Sequence, residues 1–259
     1  MKTILTIAGS DSGAGAGIQQ DLKTITALGH YAVTVLTALT AQNTMGVKMV
    51  MSVPDDMLRA QLDAVFSDMN VAAVKVGMIP DEQSARIIVE SLLQIDVPVV
   101  CDPVMFSTSG TQLMSDGCIE YIKENLFPLC ALVTPNIPEA LRLAGVGSDG
   151  HDDLDGICRC LVDSYHCAFL LKGGHATGSI MRDVLYERDG SIHEYCSKRI
   201  DSHNLHGTGC TLSSAVATLL AAGRSLPDAV KGAKLIIDKG ITQGCDLRIG
   251  KGNGPLWLF

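Results

Sequence analysis

Short β-branched or apolar runs alternate with longer amphipathic stretches along most of this chain, and that rhythm restricts the fold more than any other feature. Strands are expected at 3–8, 32–39, 73–76, 97–101, 131–134 and 168–171, with helices at 15–28, 55–69, 80–93, 116–126, 137–144 and 152–164. A run such as Val97-Pro98-Val99-Val100, apolar without alternation, suits a strand covered by helices on both sheet faces. Strands separated by helices predict an α/β fold with a doubly wound, mostly parallel sheet. Near residue 180 the rhythm changes. Stretches 180–186 and 191–195 flank Glu187-Arg188-Asp189-Gly190, and the Asp-Gly pair signals a tight hairpin, hence an antiparallel edge. Two further helices are expected at 208–222 and 226–242, joined at Gly223-Arg224-Ser225. No Ser/Gly-rich linker, charge block or internal repeat divides the chain, so one domain over 1–259 is expected.

Composition narrows the partners. With 47% hydrophobic and 19% charged residues the chain can bury a substantial core. Its 20 Lys+Arg against 28 Asp+Glu give a net charge of −8, which disfavours nucleic acid and anionic membranes as partners and obliges an anionic ligand to find local positive charge. Nine cysteines, an odd number scattered over a long chain, fit a reducing compartment and a cytoplasmic location better than a disulfide framework. The apolar start ends at Ala8-Gly9-Ser10-Asp11, too short for a signal peptide, and no run approaches the ~18 apolar residues of a membrane span.

In open α/β sheets ligands sit beyond the carboxyl ends of the parallel strands, so the residues after each strand are the functional candidates. The sharpest is Asn204-Leu205-His206-Gly207-Thr208-Gly209-Cys210-Thr211, which leads straight into an apolar helix. Glycines allow a tight turn, and successive N–H groups at a helix start make an anion hole suited to a transferring phosphoryl group. Within that field Cys210 is a candidate thiolate base toward a substrate hydroxyl; the competing reading is a plain cap followed by a buried cysteine. Lys172, at a strand end before Gly173-Gly174-His175, suits phosphate binding, or alternatively solvation. Asp102 and Glu139, each just past a strand, suit a Mg²⁺ ion held directly or through its waters, or else a turn cap and helix-dipole compensation.

Other signals are weaker. His203, His206 and Cys210 lack the paired spacing of a structural zinc site. Gly13, Gly15 and Gly17 fail G-x-G-x-x-G because Ile18 takes the last position, and no Walker A sequence occurs, so the loop suits backbone packing against a flat ligand, with Asp21 facing either the pocket or solvent. Gln42 follows an apolar strand and offers a donor beside an acceptor, the pattern an aminopyrimidine edge requires, and Met78 offers a soft apolar wall; ordinary packing is the alternative for both.

Together these residues resemble a known family. Ile7-Ala8-Gly9-Ser10-Asp11, Ala16-Gly17-Ile18-Gln19-Gln20-Asp21-Leu22-Lys23, Thr40-Ala41-Gln42-Asn43-Thr44, Lys75-Val76-Gly77-Met78, Asp102-Pro103-Val104-Met105, Thr134-Pro135-Asn136, Lys172-Gly173-Gly174-His175 and His206-Gly207-Thr208-Gly209-Cys210-Thr211 resemble, in order, the motifs of the hydroxymethylpyrimidine/phosphomethylpyrimidine kinases of thiamine biosynthesis. Gly250-Lys251-Gly252-Asn253-Gly254-Pro255 is similar to the family's C-terminal signature, although Leu256-Trp257-Leu258-Phe259 lacks the histidine often found there. The resemblance implies a ribokinase-like fold, ATP and Mg²⁺ as cofactors, a homodimer, and two successive phosphorylations of 4-amino-5-hydroxymethyl-2-methylpyrimidine. By correspondence it places Cys210 at the catalytic position, Gly207, Thr208 and Gly209 in the anion hole, Lys172 on phosphate, and Asp102 and Glu139 near Mg²⁺. It also places Gln42 on the pyrimidine, with Gly9, Asp21 and Met78 as further pocket residues.

Pyridoxal kinases are the main enzymatic competitor, since some share the Gly-Thr-Gly-Cys turn; Ala41-Gln42-Asn43-Thr44 and the glycine-rich terminus favour the pyrimidine branch. A non-catalytic pyrimidine- or nucleotide-binding protein is the alternative from another class. The retained Lys172, Gly-Thr-Gly-Cys turn and acidic pair disfavour it.

Overall fold

The computed structural model describes residues 1–107, 110–147, 153–173 and 179–259. The first half runs β1 (Thr3–Asp11), α1 (Gly17–Ala27), β2 (Tyr31–Asn43), β3 (Gly46–Ser52), α2 (Asp55–Asp68), β4 (Val71–Val76), α3 (Glu82–Leu92) and β5 (Val99–Cys101). The second half runs α4 (Asp116–Asn125), β6 (Leu132–Val133), α5 (Ile137–Leu143), α6 (Leu154–Tyr165), β7 (Ala168–Leu171), β8 (Ile180–Tyr186), β9 (Ile192–Lys198), α7 (Thr208–Ala221) and α8 (Leu226–Gly244). The expected helix start at Asp152 and the motif residues Gly174 and His175 lie outside the described residues.

The strands form one sheet in the order β3-β2-β1-β4-β5-β6-β7-β8-β9. The six strands from β2 to β7 are mutually parallel, as the alternating pattern predicts, and β8–β9 is the expected antiparallel hairpin. The sheet has a second antiparallel edge that the sequence reading did not anticipate. β2 does not stop at Leu39 but runs on to Asn43, turns, and pairs with β3. The signal is faint because β3 is polar or exposed at nearly every position and its methionines Met49 and Met51 are 68% and 56% exposed, so no buried face imposes alternation.

Each sheet face carries its own core. Leu5, Ile7, Val35, Val74, Val76, Val133 and Phe169 point to the side packed by α2 to α6. Ala73, Val100, Leu132 and Leu170, one residue out of phase on their strands, point to the side packed by α7 and α8. Local sequence ends the helices where the loops need them. Asp81, Ser115 and Ser225 accept the first free amides of α3, α4 and α8, and Asn136 with Glu139 forms a capping box on α5. Among the described residues no helix is long and apolar enough to cross a membrane.

Candidate active site

A cleft of about 790 Å³ opens beyond the carboxyl ends of β1, β4, β5 and β7 and against the start of α7. Gly9, Gln42, Met78, Asp102, Glu139, Lys172, Gly207, Thr208, Gly209 and Cys210 all line it, so ten of the eleven site residues expected from sequence share one volume. Asp21 is the exception.

The turn into α7 depends on Gly207. Its φ is +82°, and a Cβ there would lie 1.9 Å from the carbonyl oxygen of Gly15, a backbone contact that no rotamer relieves. The conformation aims the first amides of α7 into the cleft, but not all of those assigned to the anion hole are free. Thr208 donates its N–H to Leu205 O at 3.3 Å, whereas Gly209 and Cys210 have no backbone acceptor among the described residues. Gly207, likewise without a backbone acceptor among the described residues, and Gly209 thus keep open amides among the three residues the resemblance implies; Thr208 does not, and Cys210 adds one more. A Cβ on Gly209 would meet Asp102 Oδ2 at 3.2 Å and Lys172 Nζ at 3.6 Å, so the bare glycine leaves room between the amides and the charged groups opposite.

Those charged groups are held by three neighbouring strand ends. A parallel bridge joins Asn136 to Lys172, and the Lys172 amide donates to Pro135 O at 2.9 Å. Lys172 Nζ then reaches Asp102 Oδ1 at 2.7 Å and Glu139 Oε2 at 3.9 Å. Burial works against the ammonium, but the two carboxylates outweigh it and raise its pKa above the ordinary lysine value. Burial and the neighbouring Asp102 push the Glu139 carboxyl up. Glu139 Oε2 also accepts the Asn136 amide at 2.8 Å, so one side chain both closes the capping box at the start of α5 and lines the cleft. Thr134 Oγ1 donates to Asp102 Oδ1 at 3.1 Å. Two carboxylates with no third acidic, His or Cys ligand among the described residues suit a hard cation that keeps waters and takes phosphate oxygens, which is how Mg²⁺ binds.

On the opposite wall a register shift between Ala41 and Gln42 interrupts β2 against β3 and places Gln42 on the cleft. His206 Nε2 lies 3.3 Å from Gln42 Nε2 and 3.0 Å from Asp11 Oδ2. Burial opposes the Asp11 charge, but the hydrogen bond from His206 and the amides of Gly13 and Ala16 more than offset it and hold its pKa below the usual carboxylate value. Gly9 leaves space for Met78, whose sulfur would be 2.9 Å from an added Cβ. The C-terminal segment braces this wall, since Gly254 O accepts the His206 amide at 3.0 Å and Thr44 Oγ1 accepts the amides of Lys251 and Gly252. Its last residues dock on α8 through the Trp257 amide to Gly240 O at 3.0 Å.

Two expectations need correction. Asp21 faces neither pocket nor solvent: it is fully buried beneath the cleft, accepting from Thr6 Oγ1 at 2.5 Å, Ser214 Oγ at 2.6 Å and Lys75 Nζ at 2.8 Å. What borders the cleft in its place is Lys75, to which the sequence reading gave no role. A lysine inside the apolar strand Val71–Val76 was the available signal, because a charge in a central strand must be paired. The second correction concerns Cys210. A helix start was expected to favour its thiolate, but burial pushes the thiol up to about 11, although Lys75 and the Gly17 amide pull the other way.

The family model for phosphomethylpyrimidine kinase matches residues 11–257. This chain belongs to the phosphomethylpyrimidine kinase family. The hydroxymethylpyrimidine/phosphomethylpyrimidine kinase of Rhizobium meliloti is 42% identical over 98% of this chain and 96% of its own length. The thiamine biosynthesis bifunctional protein ThiED of Geobacter sulfurreducens is 46% identical over 98% of this chain, which spans 51% of that longer protein. Among solved structures, the phosphomethylpyrimidine kinase of Clostridium difficile is 38% identical with a TM-score of 0.81, covering 93% of this chain and 100% of that one. An ADP complex of Bacillus subtilis pyridoxal kinase is 31% identical with a TM-score of 0.89, covering 100% of this chain and 97% of that one. The fold is the ribokinase-like one these kinases share, with helices on both sheet faces.

Proposed function

We propose that this kinase uses ATP to phosphorylate 4-amino-5-hydroxymethyl-2-methylpyrimidine and then its monophosphate, yielding the pyrophosphate for thiamine assembly. The observation that carries the reading is that Cys210 shares one cleft with Lys172, Asp102 and Glu139 on one side and with Gln42 and Met78 on the other. Gln42 binds the aminopyrimidine edge, and Met78 and Gly9 form the apolar wall. In the first step the hydroxymethyl oxygen bonds to the γ-phosphorus as the bond to the bridging β–γ oxygen breaks, ADP leaves, and the alcohol proton passes to Cys210 Sγ. Lys172 and the amides of Gly209 and Cys210 offset the charge on the transferring group. Asp102 and Glu139 hold Mg²⁺, which neutralises phosphate charge when bound.

An ADP-release assay with mass detection of product, run with hydroxymethylpyrimidine, its monophosphate, pyridoxal and ribose, tests the assignment. Turnover of both pyrimidines is expected. Pyridoxal kinase is the second reading, favoured by the higher TM-score to the Bacillus enzyme, 0.89 against 0.81, although identity runs the other way, 31% against 38%. Turnover of pyridoxal alone would establish that reading instead.

The same proposal includes a cytoplasmic homodimer. Nine unpaired thiols suit a reducing compartment. The free edge at β3 exposes Met45, Met49 and Met51 at 66%, 68% and 56%, an apolar face that a second copy would cover. Sedimentation at micromolar concentration tests it, and Met49→Glu with Met51→Glu is expected to yield monomers.

A further inference from the structure

Lys75 is fully buried in β4, yet its pairing is incomplete. Its ammonium has three N–H donors, and among the described residues it donates one hydrogen bond, to Asp21 Oδ2 at 2.8 Å. Thr6 shares that same oxygen at 2.5 Å and Ser214 takes the other at 2.6 Å, so Asp21 divides its charge among three donors. The ammonium also borders the cleft, and a Cβ at position 77 would lie 2.6 Å from Nζ. Gly77 is thus what lets the lysine end lie across the strand terminus.

The direction of that charge follows from helix geometry. Cys210 and Ser214 are four residues apart on α7 and so lie on one face, a turn from each other. Ser214 donates to Asp21, which fixes that face against the Lys75–Asp21 pair. Cys210 therefore sits over the same pair, one turn nearer the cleft. Burial raises the thiol to about 11, and Lys75 is the charge that opposes this most. The other charges around the sulfur are Asp21 from α1 and Asp102 beyond β5, both opposing a thiolate, and Lys172 at the end of β7, with Glu139 behind it. Asp11, at the end of β1, is engaged with His206.

We propose that Lys75, held by Asp21, is the positioning cation of this site: its ammonium stabilises the thiolate of Cys210, the form that takes the proton of a substrate hydroxyl. The proposal rests on Cys210 being the base of the first phosphorylation. The lysine stays protonated throughout, and no proton leaves it. Asp21 keeps it charged and its side chain is fully buried beside the cleft, so the role assigned to Lys75 acts through the sulfur.

The test is alkylation of the full chain by iodoacetamide, without nucleotide, from roughly pH 6 to 11, followed peptide by peptide. Lys75→Met is expected to slow Cys210 alkylation about tenfold near pH 8, where the rate follows the thiolate fraction. Exposed Cys160 and Cys196 should keep their profiles, and Lys75→Arg should restore much of that of Cys210. An unchanged Cys210 profile in folded Lys75→Met overturns the proposal. If that variant does not fold, Gly77→Ala, whose Cβ displaces the ammonium while leaving its charge in the chain, carries the same expectation and the same overturning result. Alkylation does not depend on turnover, so slowed alkylation in Lys75→Met beside full activity in Cys210→Ala would reject the base assignment and leave the Lys75–Cys210 coupling standing.

Discussion

Lys172 Nζ lies 2.7 Å from Asp102 Oδ1 and within 3.9 Å of Glu139, so a single cation is bracketed by two carboxylates in the wall of the cleft. The cluster carries a net charge of about −1 when both acids are ionised, which a polyphosphate meets only with added positive charge. Removing the lysine leaves two buried acids facing phosphate. Lys172→Ala should therefore lower both phosphorylation rates by about 10- to 150-fold, from ~1.5–3 kcal/mol per charge-assisted contact. Single-turnover ADP release with each acceptor measures this, and retention of either rate within about threefold would exclude the phosphate role.

Asp102→Asn tests the other half of the cluster. It keeps an oxygen for Thr134 and for Lys172 but removes one of the two negative charges available to a divalent cation. The Mg²⁺ concentration for half-maximal ADP release should rise by about tenfold or more, and saturating Mg²⁺ should recover part of the rate. A Mg²⁺ titration unchanged by the substitution would remove Asp102 from the metal site.

The layered sheet, its order of helices and the cleft at the strand ends were legible because buried parallel strands leave long apolar runs between amphipathic helices. β3 was not, since a strand exposed on both faces lacks the alternation that burial imposes. Gln42 was found as a loop residue, although it stands in β2 at a register shift, because a bulge has no periodic signature. The error over Asp21 is of another kind. Its motif was legible, but whether a carboxylate on α1 faces ligand or a lysine from β4 depends on a partner 54 residues away.

Gly207 and Gly209 should separate structure from function. Gly207→Ala forces a side chain into a left-handed φ and onto the Gly15 carbonyl, so a loss of about 2–5 kcal/mol is expected, with a melting temperature lower by roughly 5–15 °C. Gly209 has no positive φ, and its added Cβ would meet only the ends of Asp102 and Lys172. Gly209→Ala should therefore melt within a few degrees of the parent, on the order of 1 kcal/mol or less, yet lose activity as the methyl group fills the space between amides and lysine. Calorimetry paired with ADP release distinguishes the two.

Asp11 supplies a pH-dependent share of stability. Its folded pKa lies below its unfolded value, so its contribution is complete above the unfolded pKa of ~3.9 and disappears as pH falls through the lower folded value. Asp11→Asn should cost about 1–3 kcal/mol at neutral pH, where the carboxylate holds His206 and three loop amides. The gap between parent and variant in urea unfolding should stay constant down to about pH 5 and narrow below it. A gap independent of pH would show that the carboxylate charge is not what braces the loop.

The two acceptors ask different things of Cys210. An alcohol must lose its proton as its oxygen attacks, whereas a phosphate monoester is already ionised near neutrality and needs positioning and charge neutralisation. Cys210→Ala should slow the first phosphorylation by about 10²–10⁴-fold, the usual contribution of a general base, and the second by much less. With the thiol raised to about 11, the fraction ionised at neutral pH is small, so the first rate should also climb with pH through the neutral range while the second stays flatter. Rapid-quench measurement of both steps in parent and variant decides the matter, since equal losses would make Cys210 a packing residue of the anion hole and would place the proton elsewhere.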